Sequence, residues 1–213
     1  MKNKVLSISL IFISVVILMT VASAAQITKI GTGHDPAIYS NMITWSEDDG
    51  SIHVYDLTAQ KGTTISSSSS SHPSIYGNKI VWNDESSGTP RLTVYDIPSG
   101  ARSYITQNVD STSIPKIYGS RIVWSANYNE SNYNYNVYLF DISTFTQTQI
   151  ATGSDPDIYD TKIVYSTGHI YMYDITTRKT ELINSDYDTL VRPHIYGNKV
   201  IWSNVYTRLG FIE

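Results

Sequence analysis

One run of residues recurs five times along the chain, and its fullest copy reads Pro73, Ile75, Tyr76, Gly77, Asn78, Lys79, Ile80, Val81, Trp82, with Tyr95-Asp96 following after a loop. The anchoring prolines, Pro36, Pro73, Pro115, Pro156 and Pro193, are spaced 37, 42, 41 and 37 residues apart. Self-similarity at that period marks a repeat protein whose unit is one supersecondary element, and about 40 residues is the length of a four-stranded propeller blade.

Two internal distances are fixed. The isoleucine after each proline precedes an aromatic by seven residues in every copy: Ile38 to Trp45, Ile75 to Trp82, Ile117 to Trp124, Ile158 to Tyr165 and Ile195 to Trp202. The acid of each aromatic-Asp pair precedes an isoleucine by nine: Asp56 to Ile65, Asp96 to Ile105, Asp141 to Ile150 and Asp174 to Ile183. Runs rich in Ile, Val, Tyr and Trp, bounded by Gly, Asn, Asp and Ser, read as strands, and no helical period extends beyond a turn. Each repeat is therefore expected to hold four strands: A at Pro-x-Ile-Tyr, B at Ile-Val-Trp, C ending at Tyr-Asp, and D ending near the second isoleucine. Gly77, Gly119 and Gly197 sit between A and B, where a tight hairpin needs a residue that tolerates positive φ.

The first 24 residues stand outside this pattern. Lys2 and Lys4 precede an apolar run from Val5 to Met19, and Ala22-Ser23-Ala24 is a small-x-small site, so residues 1–24 are expected to be a signal peptide cleaved after Ala24, and residues 25–213 a propeller domain. A kept N-terminal anchor is the alternative, although the run is short for spanning. Removing Lys2 and Lys4 leaves 13 basic against 19 acidic residues, a formal charge of −6. Such a surface argues against nucleic acid and anionic membrane as partners. Absence of cysteine excludes a disulfide framework and thiolate metal sites.

The segment Gln26 to Pro36 mirrors Gln149 to Pro156, including six residues from Ile to Pro in both, and Pro193 to Glu213 covers only strands A to C of the last repeat. The sequence thus predicts an all-β propeller of four-stranded antiparallel blades, five in number, closed by residues 26–30 acting as strand D of the last blade. A truncated piece of a longer array is the competing expectation.

The run Pro-x-Ile-Tyr-Gly-Asn-Lys-Ile-Val-Trp, a loop, then Val-Tyr-Asp and a Thr/Ser-rich turn resembles the repeat of secreted cell-surface β-propeller proteins of methanogenic archaea. More distantly it is similar to TolB-like propeller repeats. The resemblance covers residues 26 to 213 and implies cell-surface or envelope placement and contacts with an envelope protein or a surface glycan; it implies no cofactor and no single chemistry.

Asp56, Asp96, Asp141 and Asp174 each stand just before the C–D turn, where a carboxylate accepts N–H groups two or three residues on, and so read as turn caps rather than a metal or catalytic set. Trp45, Trp82, Trp124 and Trp202 hold one position in strand B and read as packing between blades rather than sugar platforms. The strand A tyrosines, Tyr39, Tyr76, Tyr118, Tyr159 and Tyr196, read as mostly core, each with a hydroxyl that needs a partner.

Departures from the repeat point to function. From the strand B aromatic to the Tyr-Asp acid the chain runs 11, 14, 17 and 9 residues in the complete copies, so one face of a constant scaffold carries loops of variable length. The longest, Asn127 to Asn136, is built of Tyr and Asn, the composition of adaptable binding loops, although its alternation also suits an extended hairpin. Tyr128, Asn129, Tyr133 and Tyr135 are candidate binding residues there, and Asn129-Glu130-Ser131 is a glycosylation sequon.

Asp155, Asp157 and His194, at the starts of strands A, are expected near a channel mouth on the same face, as is Asp35. A carbohydrate-acting enzyme with carboxylates at that mouth is the alternative to an interaction module. Matching positions in other repeats are His72, Ile114, Lys116 and Arg192, and no paired-carboxylate motif stands out. Glu47, Asp48 and Asp49 offer oxygen ligands but lack the spacing of a calcium loop, and no metal site is assigned.

Overall fold

The computed structural model describes residues 27–129, 134–184, 190–204 and 209–212. The chain divides into two units, Met1–Ile30 and Gly31–Glu213. In the first unit only residues 27–30 are described, and they form no strand; the expected signal peptide lies outside the described residues.

The second unit is all antiparallel β. Sheet one comprises β1 (His34–Tyr39), β2 (Met42–Ser46), β3 (Ser51–Asp56) and β4 (Lys61–Ser67). Sheet two comprises β5 (Ser70–Tyr76), β6 (Lys79–Asp84), β7 (Arg91–Asp96) and β8 (Arg102–Ile105). Sheet three holds β9 (Lys116–Tyr118), β10 (Arg121–Asn129), β11 (Asn134–Asp141) and β12 (Thr146–Thr152). Sheet four holds β13 (Ser154–Tyr159), β14 (Lys162–Ser166), β15 (Ile170–Asp174) and β16 (Lys179–Asn184), and sheet five β17 (Leu190–Tyr196), β18 (Lys199–Asn204) and β19 (Leu209–Ile212). Each is a simple meander, and the strands A, namely β1, β5, β9, β13 and β17, lie beside one another in that order.

Repeated sequence produces repeated local geometry. The A–B hairpins turn over two residues, with Ile75 opposite Ile80 and Tyr76 opposite Lys79 in sheet two. The first turn residue has positive φ in all five, whether Gly77, Gly119 and Gly197 or Ser40 and Asp160. After strand C of the first four sheets the acid caps its turn: Asp56 accepts the N–H groups of Thr58 and Ala59 at 2.7 and 3.0 Å, and Asp174 those of Thr176 and Thr177 at 2.8 and 2.9 Å. Asp96 accepts the N–H of Ser99 at 3.1 Å and Asp141 that of Ser143 at 2.8 Å.

The core lies between sheets. Ile52, Val54 and Ile65 of sheet one pack on Ile75, Ile80 and Trp82 of sheet two, and Val164 and Ile170 of sheet four on Ile195, Val200 and Trp202 of sheet five. Trp45, Trp82, Trp124 and Trp202 are all buried. Face-to-face burial of this kind makes each repeat depend on its neighbours for stability.

Among the described residues the sheets are not closed into a ring. Sheet five has three strands among the described residues, and the segment 26–30 expected as its fourth begins with Gln26, which lies outside them. The sequence match that suggested a clasp includes the linker into strand A. Gly33 and Gly153, with φ of 134° and 156°, press on the strand B aromatics Trp45 and Tyr165, and a methyl group on Gly153 would meet the Ser166 carbonyl oxygen at 2.6 Å. Two linkers that must pass equally close to a strand B share a sequence for that reason.

Candidate functional site

Four of the five strands A contain a proline, which cannot donate to the ladder and is tolerated in a sheet only at an edge or a bulge. In four sheets the strand answers with a bulge: pairing to strand B skips from His34 to Ala37, from Ser71 to Ser74, from Ser154 to Asp157 and from Val191 to His194. The residue before the proline takes positive φ each time, at Asp35 (50°), His72 (55°), Asp155 (51°) and Arg192 (52°). Holding a side chain with a Cβ in that region costs roughly 1–3 kcal/mol, which the surrounding ladder must offset. β9 is the exception: it starts at Lys116, after the proline.

These bulges gather chemistry. Asp35, His72, Asp155 and Arg192, together with Ile114 and Lys116 of the third repeat and His194 of the fifth, line a cavity of about 540 Å³. Its size is that of a small-molecule or side-chain site. Tyr135, from the long B–C loop, lines the same cavity, so the variable loop and the strand A starts contribute to one concavity.

Three His–Asp contacts lie at this mouth, two of them across repeats. His34 Nδ1 lies 2.9 Å from Asp35 Oδ2, and His72 Nε2 lies 3.7 Å from the same oxygen. Asp157 Oδ2 is 3.2 Å from His194 Nδ1 and accepts the backbone N–H of Ile195 at 3.0 Å. Ser74, which holds the Asp157 position in sheet two, likewise accepts the N–H of Ile117 at 3.3 Å. The residue between proline and isoleucine can thus link one innermost strand to the next. Asp157 is largely committed to that link, whereas Asp155 and His194 face the cavity.

The third B–C loop is an extended hairpin. β10 and β11 pair as far as Asn129 opposite Asn134, with an irregularity after Ala126. Its base is anchored on the preceding linker: Asn127 donates its backbone N–H to Asp110 at 2.8 Å and its side-chain amide to Asn108 Oδ1 at 3.1 Å, and within the hairpin that amide also donates to the Tyr138 hydroxyl at 2.7 Å. Trp124 donates its indole N–H to the Asn108 carbonyl at 2.7 Å. The expected binding residue Tyr133 lies outside the described residues, as do the side chains of Tyr128 and Asn129, so the sequon is placed only by backbone, at the end of β10. The anchoring by Asp110 escapes sequence reasoning because it joins two segments that depart from the repeat in the same copy.

At the hairpin end of the strands A the five tyrosines form a ladder. Ring centroids are 4.5 Å apart for Tyr39 and Tyr76, 4.4 Å for Tyr76 and Tyr118, 4.9 Å for Tyr118 and Tyr159, and 5.1 Å for Tyr159 and Tyr196. Bonding to the Tyr76 hydroxyl, with burial between rings, pushes the Tyr118 phenol well above its ordinary range. Among the described residues no three His, Asp or Glu side chains are arranged to hold a metal ion, and no helix is long and apolar enough to cross a membrane. In the Glu47 to Asp49 segment, Asp49 caps Ser51 N–H at 2.9 Å and Glu47 lies 3.6 Å from His53.

No family model matches the chain, and no curated protein does. Solved structures of similar fold include a putative TolB from Agrobacterium tumefaciens (TM-score 0.63, 13% identity, 81% of this chain and 73% of that one). TolB from Acinetobacter baumannii is similar over 79% of this chain (TM-score 0.59, 14% identity), and the match spans about half, 50%, of that protein's length. A chain of the nidogen–laminin complex matches with TM-score 0.59 and 13% identity over 79% of this chain and 70% of its own. At such identities the likeness is one of fold, and the chain has the fold of a TolB-like β-propeller.

Proposed function

We propose that the five sheets act as five blades of an extracytoplasmic interaction module, at the cell surface or in the envelope, which takes a segment of an envelope protein at the loop-side mouth of its central cavity. The observation that carries this is the bulge geometry. A fixed proline and a repeated positive φ aim the preceding residue at the cavity, while that residue's identity changes from Asp to His to Asp to Arg. A constant backbone presenting variable side chains on the variable-loop face is what a reading surface requires.

Opposite charges around one opening, Asp35 and Asp155 against Lys116 and Arg192, suit a peptide segment that offers both signs as well as backbone amides. The leader-like residues 1–24 support export, and the resemblance to secreted archaeal propellers and to periplasmic TolB supports envelope placement. A neighbour of the same fold comes from a complex between two proteins, nidogen and laminin.

The carbohydrate-acting alternative needs two carboxylates flanking a scissile bond. Of the acids at the mouth, Asp157 is held by His194 and Ile195, and Asp35 by His34 and His72. Among the described residues that leaves Asp155 without a second carboxylate set apart for acid–base work. The test is cross-linking of envelope extract to the wild-type chain and to Asp155→Ala and Arg192→Glu, alongside a glycan array. Partner peptides lost in both variants support the reading; a glycan signal lost in them, with no cross-linked protein, would replace it.

A further inference from the structure

Each of the four contacts between successive sheets is made from the same two half-faces. One half centres on the residue after the strand B isoleucine: Thr44, Val81, Val123 and Val164 are each 0% exposed. The other half is the strand A isoleucine of the following sheet: Ile75, Ile117, Ile158 and Ile195 are 5–8% exposed. The fifth copy of each half is left open among the described residues. Ile201, in the position of Val164, is 46% exposed, and Ile38, in the position of Ile75, is 65% exposed. The tyrosine ladder ends the same way, at Tyr39 (36%) and Tyr196 (77%).

The chain therefore carries, on sheet one and on sheet five, the two complementary halves of an interface that it makes four times internally. We propose that these end faces take a second copy of this chain head to tail, the Ile201 and Tyr196 face of one copy seating on the Ile38 and Tyr39 face of the next. The occupant follows from continuity with the internal contacts. In two of those, a valine in the Ile201 position packs together with a strand A isoleucine and the strand B aromatic that follows it: Val81 with Ile117 and Trp124, and Val164 with Ile195 and Trp202. The joint also adds one more rung to the tyrosine ladder. Its two sides differ, so the contact is heterologous: copies add in one direction and stop only if the rotation closes. The joint is independent of the ligand reading, which uses the loop-side mouth.

The test uses the full chain as processed by an exporting host, with light scattering after size exclusion across a concentration series. The wild type is expected to associate, and Ile38→Glu and Ile201→Glu each to run as monomers with unchanged circular dichroism. Mixing the two variants is expected to restore association as a one-to-one pair of twice the monomer mass, because each still owns the half-face that the other has lost. A monomeric wild type, association that survives both substitutions, or a mixture that stays monomeric would overturn the proposal. Both side chains are already exposed, so the charged variants retain the fold; if either loses its circular dichroism signal, Ile38→Ser and Ile201→Ser take their place in the same mixing test.

Discussion

Asp157 Oδ2 accepts the backbone N–H of Ile195 at 3.0 Å, so a carboxylate on β13 joins the innermost strand of sheet four to that of sheet five. The acceptor is mostly buried, with 17% of its side chain exposed. Removing it leaves an N–H at an inter-sheet seam without its partner, at a cost of about 1–3 kcal/mol. Asp157→Ala should therefore lower the denaturation midpoint while Asp157→Asn, which keeps an oxygen there, recovers much of it. If both variants matched the wild type in urea titrations, the link would contribute nothing to the fold.

Trp82 is 1% exposed and lies among Ile52, Val54, Ile65, Ile75 and Ile80. Truncation to alanine removes a buried aromatic from the contact between sheets one and two, which typically costs about 3–5 kcal/mol. Guanidinium unfolding followed by fluorescence should show the loss as a shifted midpoint. A shift under a third of that size would mean that the neighbouring sheets close over the gap.

The repeat period was enough to give an all-β, propeller-type fold, because each Pro-x-Ile-Tyr and Ile-Val-Trp segment carries its own hairpin chemistry and its own buried face. Asp155 and His194 at the cavity were legible for a simpler reason: they flank the proline that starts strand A. What the sequence hid depends on contacts between repeats. Asp157 joins two blades only because Ile195 N–H comes opposite it, and within the Gln26–Pro36 match Gly33 packs on Trp45, a contact between segments that neither segment's own pattern displays. Nor can one strand's pattern show that the proline bulge drives Asp35, His72, Asp155 and Arg192 into positive φ.

Acid should unfold the protein through its turn caps. The Ser99 hydroxyl bonded to Asp96, helped by Lys79 at 3.0 Å, lowers that carboxyl to about 2, and Lys162 at 2.7 Å with the Thr177 N–H lowers Asp174 to about 2. Both values lie below that of the unfolded chain, about 4. The unfolded state therefore binds protons first on acidification, and the stabilisation, complete above about pH 4, is lost as pH falls towards 2. The double variant Asp96→Asn/Asp174→Asn should be less stable at neutral pH and show a shallower decline between those limits. An acid limb of unchanged slope, measured by urea midpoint against pH, would assign the transition to other carboxyls.

Gly153 separates linker packing from strand pairing. Its φ of 156° is rarely adopted by residues with a side chain, and an added methyl group would meet the Ser166 carbonyl oxygen at 2.6 Å and Tyr165 Cδ2 at 2.7 Å. Neither neighbour yields easily: one is backbone inside β14, the other a buried ring. Overpacking of this kind costs about 1–3 kcal/mol. Gly77, by contrast, has open space around the same added atom, so Gly77→Ala meets only the conformational preference of its turn. Gly153→Ala should thus destabilise more than Gly77→Ala, and Tyr165→Leu, which removes the ring, should reduce the difference. Equal midpoints for the two glycine variants would show that the linker can lift off strand B without loss, and the close passage shared by Gly33 and Gly153 would then have no part in holding the sheets together.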